Sequence, residues 1–125
     1  MALAWTFSQP LRLVLIFAKG AVLPEEVLNL LAKIDAERAR MYRKIFDVTE
    51  LTSTFSDDQI RQLAELVRQR NAQSPIGPIA IVANAEHTYR QAELFVSFRV
   101  TNQAVAIFRE HHDARRWLDD QQPAA

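Results

Sequence analysis

Tyr42-Arg43-Lys44-Ile45-Phe46-Asp47-Val48-Thr49 places a short apolar run between a helix-patterned stretch and a hydroxyl-rich loop, residues 49–56, that opens a second helix. Three further apolar runs, Leu11 to Ala18, Ile79 to Ala83 and Ala104 to Phe108, alternate in the same way with amphipathic stretches. Strands separated by helices bury one sheet, so the rhythm predicts a small α/β layer. Upstream, Leu3, Trp5 and Phe7 alternate with Ala4, Thr6 and Ser8, and Gln9-Pro10 reads as a turn. That pattern predicts a half-buried strand and an opening hairpin.

With 125 residues, the chain is expected to form one domain over 1–125, with frayed ends at 1–2 and 119–125. Lys plus Arg equals Asp plus Glu at 15 each, which leaves no positive excess for phosphate neutralisation and argues against a nucleic-acid partner. The chain has no cysteine, which excludes disulfides and thiolate chemistry and fits a reducing compartment, so a cytoplasmic location is expected. The first ten residues lack the basic start and cleavage site of a secretory signal, and the run at Leu11 to Ala18 is too short to cross a bilayer.

Each helix carries its own start signals. Pro24 suits a first helical position, followed by Glu25 and Glu26 at the positive end of the helix dipole, with Arg38 and Arg40 at the other end. Val27, Leu30, Leu31 and Ile34 form the stripe that faces the sheet. In the next helix, Ser56 and Gln59 have the spacing of a capping box, with Asp57 and Asp58 in the first turn. Ile60, Leu63, Ala64 and Val67 are its buried stripe, while Arg61, Glu65, Arg68 and Arg70 read as a solvated face. Asn84 is the expected cap of a third helix, whose wheel groups Ala85, Tyr89, Ala92 and Val96, with Phe95 at the edge. Leu94 and Phe98 fall on the far side, a candidate dimer contact. A short fourth helix is expected from Asp113 to Leu118.

The chemistry-bearing residues are sparse. His111, His112 and Asp113 are adjacent on a helix and so point apart, which reads as a polar helix start rather than a metal site. The sequence holds no GxGxxG, phosphate loop, HExxH or nucleophile elbow, and no cofactor is expected.

The order strand, strand, helix, strand, helix, strand, helix, strand, helix resembles the STAS domain of anti-sigma factor antagonists, more closely its bacterial SpoIIAA-like branch. The likeness is carried by 42–49, by Gly77-Pro78-Ile79-Ala80-Ile81-Val82-Ala83, and by Val105-Ala106-Ile107-Phe108-Arg109 with Asp113-Ala114-Arg115-Arg116-Trp117-Leu118. It implies a single mixed β-sheet of about five strands packed against about four helices. In regulatory members a serine in an Asp-Ser-Ser-Gly-Leu stretch, at the start of the helix after the Asp-ended strand, is phosphorylated and controls partner binding. Ungapped counting from Asp47 sets Ser56 in that stretch, with Asp57 where the second serine would stand and no glycine. A fixed charge at Asp57 would hold one state of such a switch.

Three functions follow in order. The first is a non-enzymatic signalling or protein-interaction module presenting Ser56 and Asp57, with Ser53 and Thr54 in the preceding loop, for partner contact or phosphorylation. The second is a small-molecule or lipid-binding domain with a pocket at the strand carboxyl ends, where Asp47, Thr49, Asn84, His87 and Tyr89 would converge. The third is a hydrolase with His87 oriented by Asp47, for which no nucleophile is evident.

Overall fold

The computed structural model describes residues 3–52, 55–73, 76–99 and 104–121. Ser53 and Thr54 lie outside the described residues. The chain runs β1 (Leu3–Ser8), β2 (Leu13–Gly20), α1 (Pro24–Ala36), β3 (Arg43–Leu51), α2 (Asp57–Gln73), β4 (Ile79–Val82), α3 (Glu86–Ser97), β5 (Val105–Phe108) and α4 (His111–Asp119). The five strands form one mixed sheet in the order β1-β2-β3-β4-β5. β1 pairs antiparallel with β2 across the turn at 9–12, and the remaining pairs are parallel. The two kinds of pairing follow from connection length, because a tight turn can only reverse the chain and a crossover helix returns it in the same direction.

Strand parity divides the side chains between the two sheet faces. Leu3 of β1 and Val14, Ile16 and Ala18 of β2 pack with Leu30 and Ile34 of α1. Ile45 of β3 and Ala80 and Val82 of β4 point the other way and pack with Ala114 and Leu118 of α4. The first face also lies under α3, and α2 packs chiefly on α1 and α3 through Leu63, Ala64 and Val67. Three helices therefore cover one face and α4 alone covers the other.

Local chemistry explains the element ends. Pro24 starts α1, whose N-cap Leu23 makes no side-chain bond. The helix closes with Arg38 in the left-handed region (φ 58°) and Ala39 N–H donating to Ile34 O at 3.0 Å, the six-to-one bond of a Schellman end. Arg40 does not serve the dipole as a free charge. It pairs with Asp35 at 3.1 Å and donates to Arg70 O at 3.1 Å. Arg70 differs from the solvated residue its wheel position suggests, since it donates to Leu31 O at 2.7 Å and pairs with Asp35. These bonds lock the C-terminal half of α2 to the end of α1, and the side-chain length of arginine, invisible to a helical wheel, is the reason.

Two helix starts also differ from expectation. α3 is capped by Ala85, not Asn84, with no side-chain cap bond; Thr88 Oγ1 donates back to Ala85 O at 3.0 Å instead. α4 begins at His111, two residues before Asp113.

Gly77 sits where the chain enters β4 and donates its N–H to Arg40 O at 3.0 Å. A Cβ there would lie 2.4 Å from both Met41 O and Tyr42 O. Those are backbone atoms, so relief requires the two segments to separate. Gly77→Ala is expected to lower unfolding stability by about 2–3 kcal/mol, read as an earlier urea midpoint with the slope preserved; an unchanged midpoint would disprove the close approach.

Candidate functional site

At the N-terminus of α2 both bonds of the capping box form. Gln59 N–H donates to Ser56 Oγ at 3.1 Å, and Ser56 N–H donates to Gln59 Oε1 at 2.9 Å. Ser56, Asp57 and Asp58 are exposed, and Asp58 pairs with Arg61 at 2.9 Å in open solvent. The result is a solvent-facing helix end that carries two acidic side chains on a fixed backbone. Because Ser56 Oγ already accepts the Gln59 amide, its first role is to hold the helix start.

The strand-end residues separate into two groups. Asp47 is buried, and its Oδ1 accepts the Thr49 N–H at 2.9 Å and the Thr49 hydroxyl at 2.7 Å. Its Oδ2 meets His111 Nδ1 at 3.3 Å, and the His111 ring stacks on Phe17 with centroids 6.1 Å apart and planes inclined by 7°. Asn84 and Tyr89 belong to a second group organised by Arg109. Its guanidinium lies 4.1 Å over the Tyr89 ring, donates to Asn84 O at 3.4 Å and pairs with Glu86 at 3.4 Å. His87 is exposed and joins neither group.

The imidazole beside Asp47 is therefore that of His111, and the pairing of His87 with Asp47 does not form. Parity is the signal that finds His111: Asp47 shares the α4 face with Ile45, and His111 opens α4. The Thr49 hydroxyl donates to Asp47 rather than standing free beside an imidazole, so the cluster ties β3 to α4 and presents no activated nucleophile. His112 and Arg116 pair at 2.9 Å. Among the described residues, no group of three or more His, Cys, Asp or Glu side chains could hold a metal ion.

Phe98, placed on the outer side by the wheel, packs instead against the Leu63, Ala64 and Val67 cluster of α2, and Leu94 is half-buried. α3 meets the sheet on one side and α2 on another, so it has two apolar stripes rather than one.

A further concavity lies elsewhere. A cavity of about 150 Å³ sits beneath α2, between the helices and the sheet. Ile16, Phe46 and Ile81 form its floor, and Leu63, Val67 and Phe95 are in its roof. Its wall contains three polar side chains, Lys44, Thr88 and Gln91. Lys44 is 2% exposed, and its Nζ donates to Arg40 O at 2.6 Å and Tyr42 O at 2.7 Å. Its amine is lowered from 10.5 to about 7, chiefly by burial and then by the nearby Arg40 charge, while Asp35 acts in the opposite direction. None of Asp47, Thr49, Asn84, His87 and Tyr89 lines this cavity. Sequence periodicity marks its wall residues as core and cannot show that they fail to meet.

No protein-family profile and no curated protein matches the chain. Solved structures do. An uncharacterized protein of the DUF3478 family with a SpoIIAA-like fold from Shewanella loihica superposes with a TM-score of 0.61 at 20% identity, covering 94% of this chain and 92% of that one. An anti-sigma factor antagonist from Mycobacterium paratuberculosis superposes with a TM-score of 0.61 at 14% identity, covering 94% and 95%. The class is thereby defined: this is a STAS-like α/β fold of the SpoIIAA-like type. Among the described residues no helix is long and apolar enough to cross a membrane.

Two tests separate the clusters. Asp47→Ala removes the acceptor of three bonds at a buried site and is expected to cost about 2–3 kcal/mol, while His87→Ala changes stability by less than about 0.5 kcal/mol, both read by urea denaturation. For Lys44, the folded value lies below the unfolded one, so between them the unfolded chain binds more protons. Stability should therefore rise from about pH 7 towards pH 10, with a slope of up to about 1.4 kcal/mol per pH unit, and stay level in this respect below pH 7. Denaturation midpoints measured over that range should lose this rise in Lys44→Met.

Proposed function

We propose that the chain is a non-enzymatic regulatory module that binds a protein partner through the N-terminus of α2 and the loop before it. The observation that carries this reading is the exposed, doubly bonded cap at Ser56 and Gln59, with Asp57 and Asp58 held beside it. Such an end is rigid before contact, which reduces the ordering cost of association, and its charge selects a basic partner surface. The similarity in fold to an anti-sigma factor antagonist supports a partner that is itself a regulator.

Phosphorylation at Ser56, or at Ser53 or Thr54 ahead of it, would act through the same end. A phosphate adds charge of about −1.5 to −2 at neutral pH and strong acceptors where helix amides point outward. At Ser56 it would also face Asp57 and Asp58, so the modification would raise an existing negative potential rather than create one. Leu94 stays the candidate for contact between copies of the chain; Phe98 is taken up by α2.

A photo-crosslinking residue at position 57, in protein expressed in its own host, is expected to give one discrete protein adduct, with none from the same group at Glu93. Asp58→Lys should weaken that capture about tenfold or more. Equal adducts from both positions, or none from position 57, would overturn the reading. Intact mass of the same preparation reports whether Ser53, Thr54 or Ser56 carries a phosphoryl group.

A further inference from the structure

The polar groups in the cavity wall are not equivalent. The Thr88 hydroxyl donates to Ala85 O at 3.0 Å and Gln91 Nε2 donates to Phe55 O at 2.5 Å, so both side chains are anchored to backbone at the edge of the space. Lys44 is anchored differently. Its Nζ meets two backbone carbonyls, which a neutral amine satisfies with its two N–H groups; a protonated amine brings a third N–H for which the described residues supply no acceptor. Among the described residues no carboxylate bonds to it either. The neighbouring acid, Asp35, is held by Arg40 and Arg70. Around this amine the wall is aliphatic and aromatic, with Ile16, Phe46, Leu63, Ile81 and Phe95 contributed by five elements.

An apolar cavity of about this volume, lined by Leu, Ile and Phe, accepts a molecule of the size of benzene. Natural ligand sites share the pattern of an apolar wall with a few polar groups that fix orientation. We infer that the cavity beneath α2 is a binding site for a small apolar acid, about one aromatic ring or a chain of roughly six carbons in size, whose single carboxyl group meets Lys44. The hydrocarbon part packs against the apolar wall. The carboxylate gives the protonated amine the acceptor and counter-charge it lacks, and a buried charge pair of this kind forms as one unit. The inference does not depend on the α2 N-terminus as a contact surface, since that end faces outward from the cavity roof.

The test uses two probes with the full chain, 4-fluorobenzoate and 4-fluorotoluene, followed by fluorine NMR and by the methyl resonances of Leu63 and Ile81. Both probes are expected to shift those methyls, with the acid binding at least about tenfold more tightly. Lys44→Met should abolish that preference and leave 4-fluorotoluene binding intact. Ala92→Met, and independently Ile81→Phe, should weaken both probes by filling the space, in variants whose thermal unfolding remains cooperative. Absence of methyl shifts with either probe overturns the site. Equal affinity of the native chain for the two probes, or a preference that survives Lys44→Met, overturns the carboxylate assignment.

Discussion

β3 is covered on both faces, and the alternation of its side chains is the constraint on which the rest of the molecule rests. Lys44, Phe46 and Val48 turn towards α1, α2 and α3, whereas Ile45 and Asp47 turn towards α4. A slip of one residue in register would exchange the two sets and drive Asp47 under the three helices. Several bonds hold the register. Lys44 N–H donates to Pro78 O at 2.9 Å, its Nζ binds the carbonyls of Arg40 and Tyr42, and Asp47 fastens Thr49 and His111. Two buried ionisable residues on opposite faces of one strand therefore set where α4 begins and where the chain turns into β3.

This arrangement explains which parts of the fold were legible in the residues. Each strand run and each amphipathic helix is readable because period-two and helical patterns report burial directly, and the capping box at Ser56 and Gln59 is a local motif whose bonds need no distant partner. The five-stranded sheet and four helices follow from that order. The helix starts expected at Asn84 and Asp113 differ from those observed, because Ala85 and Glu110 cap without a side-chain bond. Phe98 departs from its wheel position for a different reason. A single helical wheel assumes one buried face, and α3 has two.

The candidate sites were legible only where chemistry is local. Asp47 and Thr49 lie two residues apart and do pair, while the imidazole that completes their cluster comes from 64 residues further along. Choosing His111 over His87 requires knowing that α4 alone covers the odd-numbered face of β3. The cavity lay further out of reach. Ile60, Leu63 and Val67 are read correctly as buried, yet burial does not reveal that α2 rests on α1 and α3 and leaves the sheet below it uncovered. Lys44 stands at the edge of an apolar run, and nothing in its sequence neighbours announces a backbone cage.

α2 is the element that both functional readings share, through different residues. Its outer end presents Ser56, Asp57 and Asp58, and its inner stripe of Ile60, Leu63 and Val67 roofs the cavity. Communication between the two would need a second seat for α2 with a different affinity for ligand or partner, because a ligand that binds two states equally shifts neither. The bonds from Arg40 and Arg70 to Asp35, Leu31 and Asn71 fix the C-terminal half of the helix to α1. Any such second seat must therefore pivot about that end and displace the cap end most. The residues placed for partner contact are thus the ones a movement of the cavity roof would carry furthest.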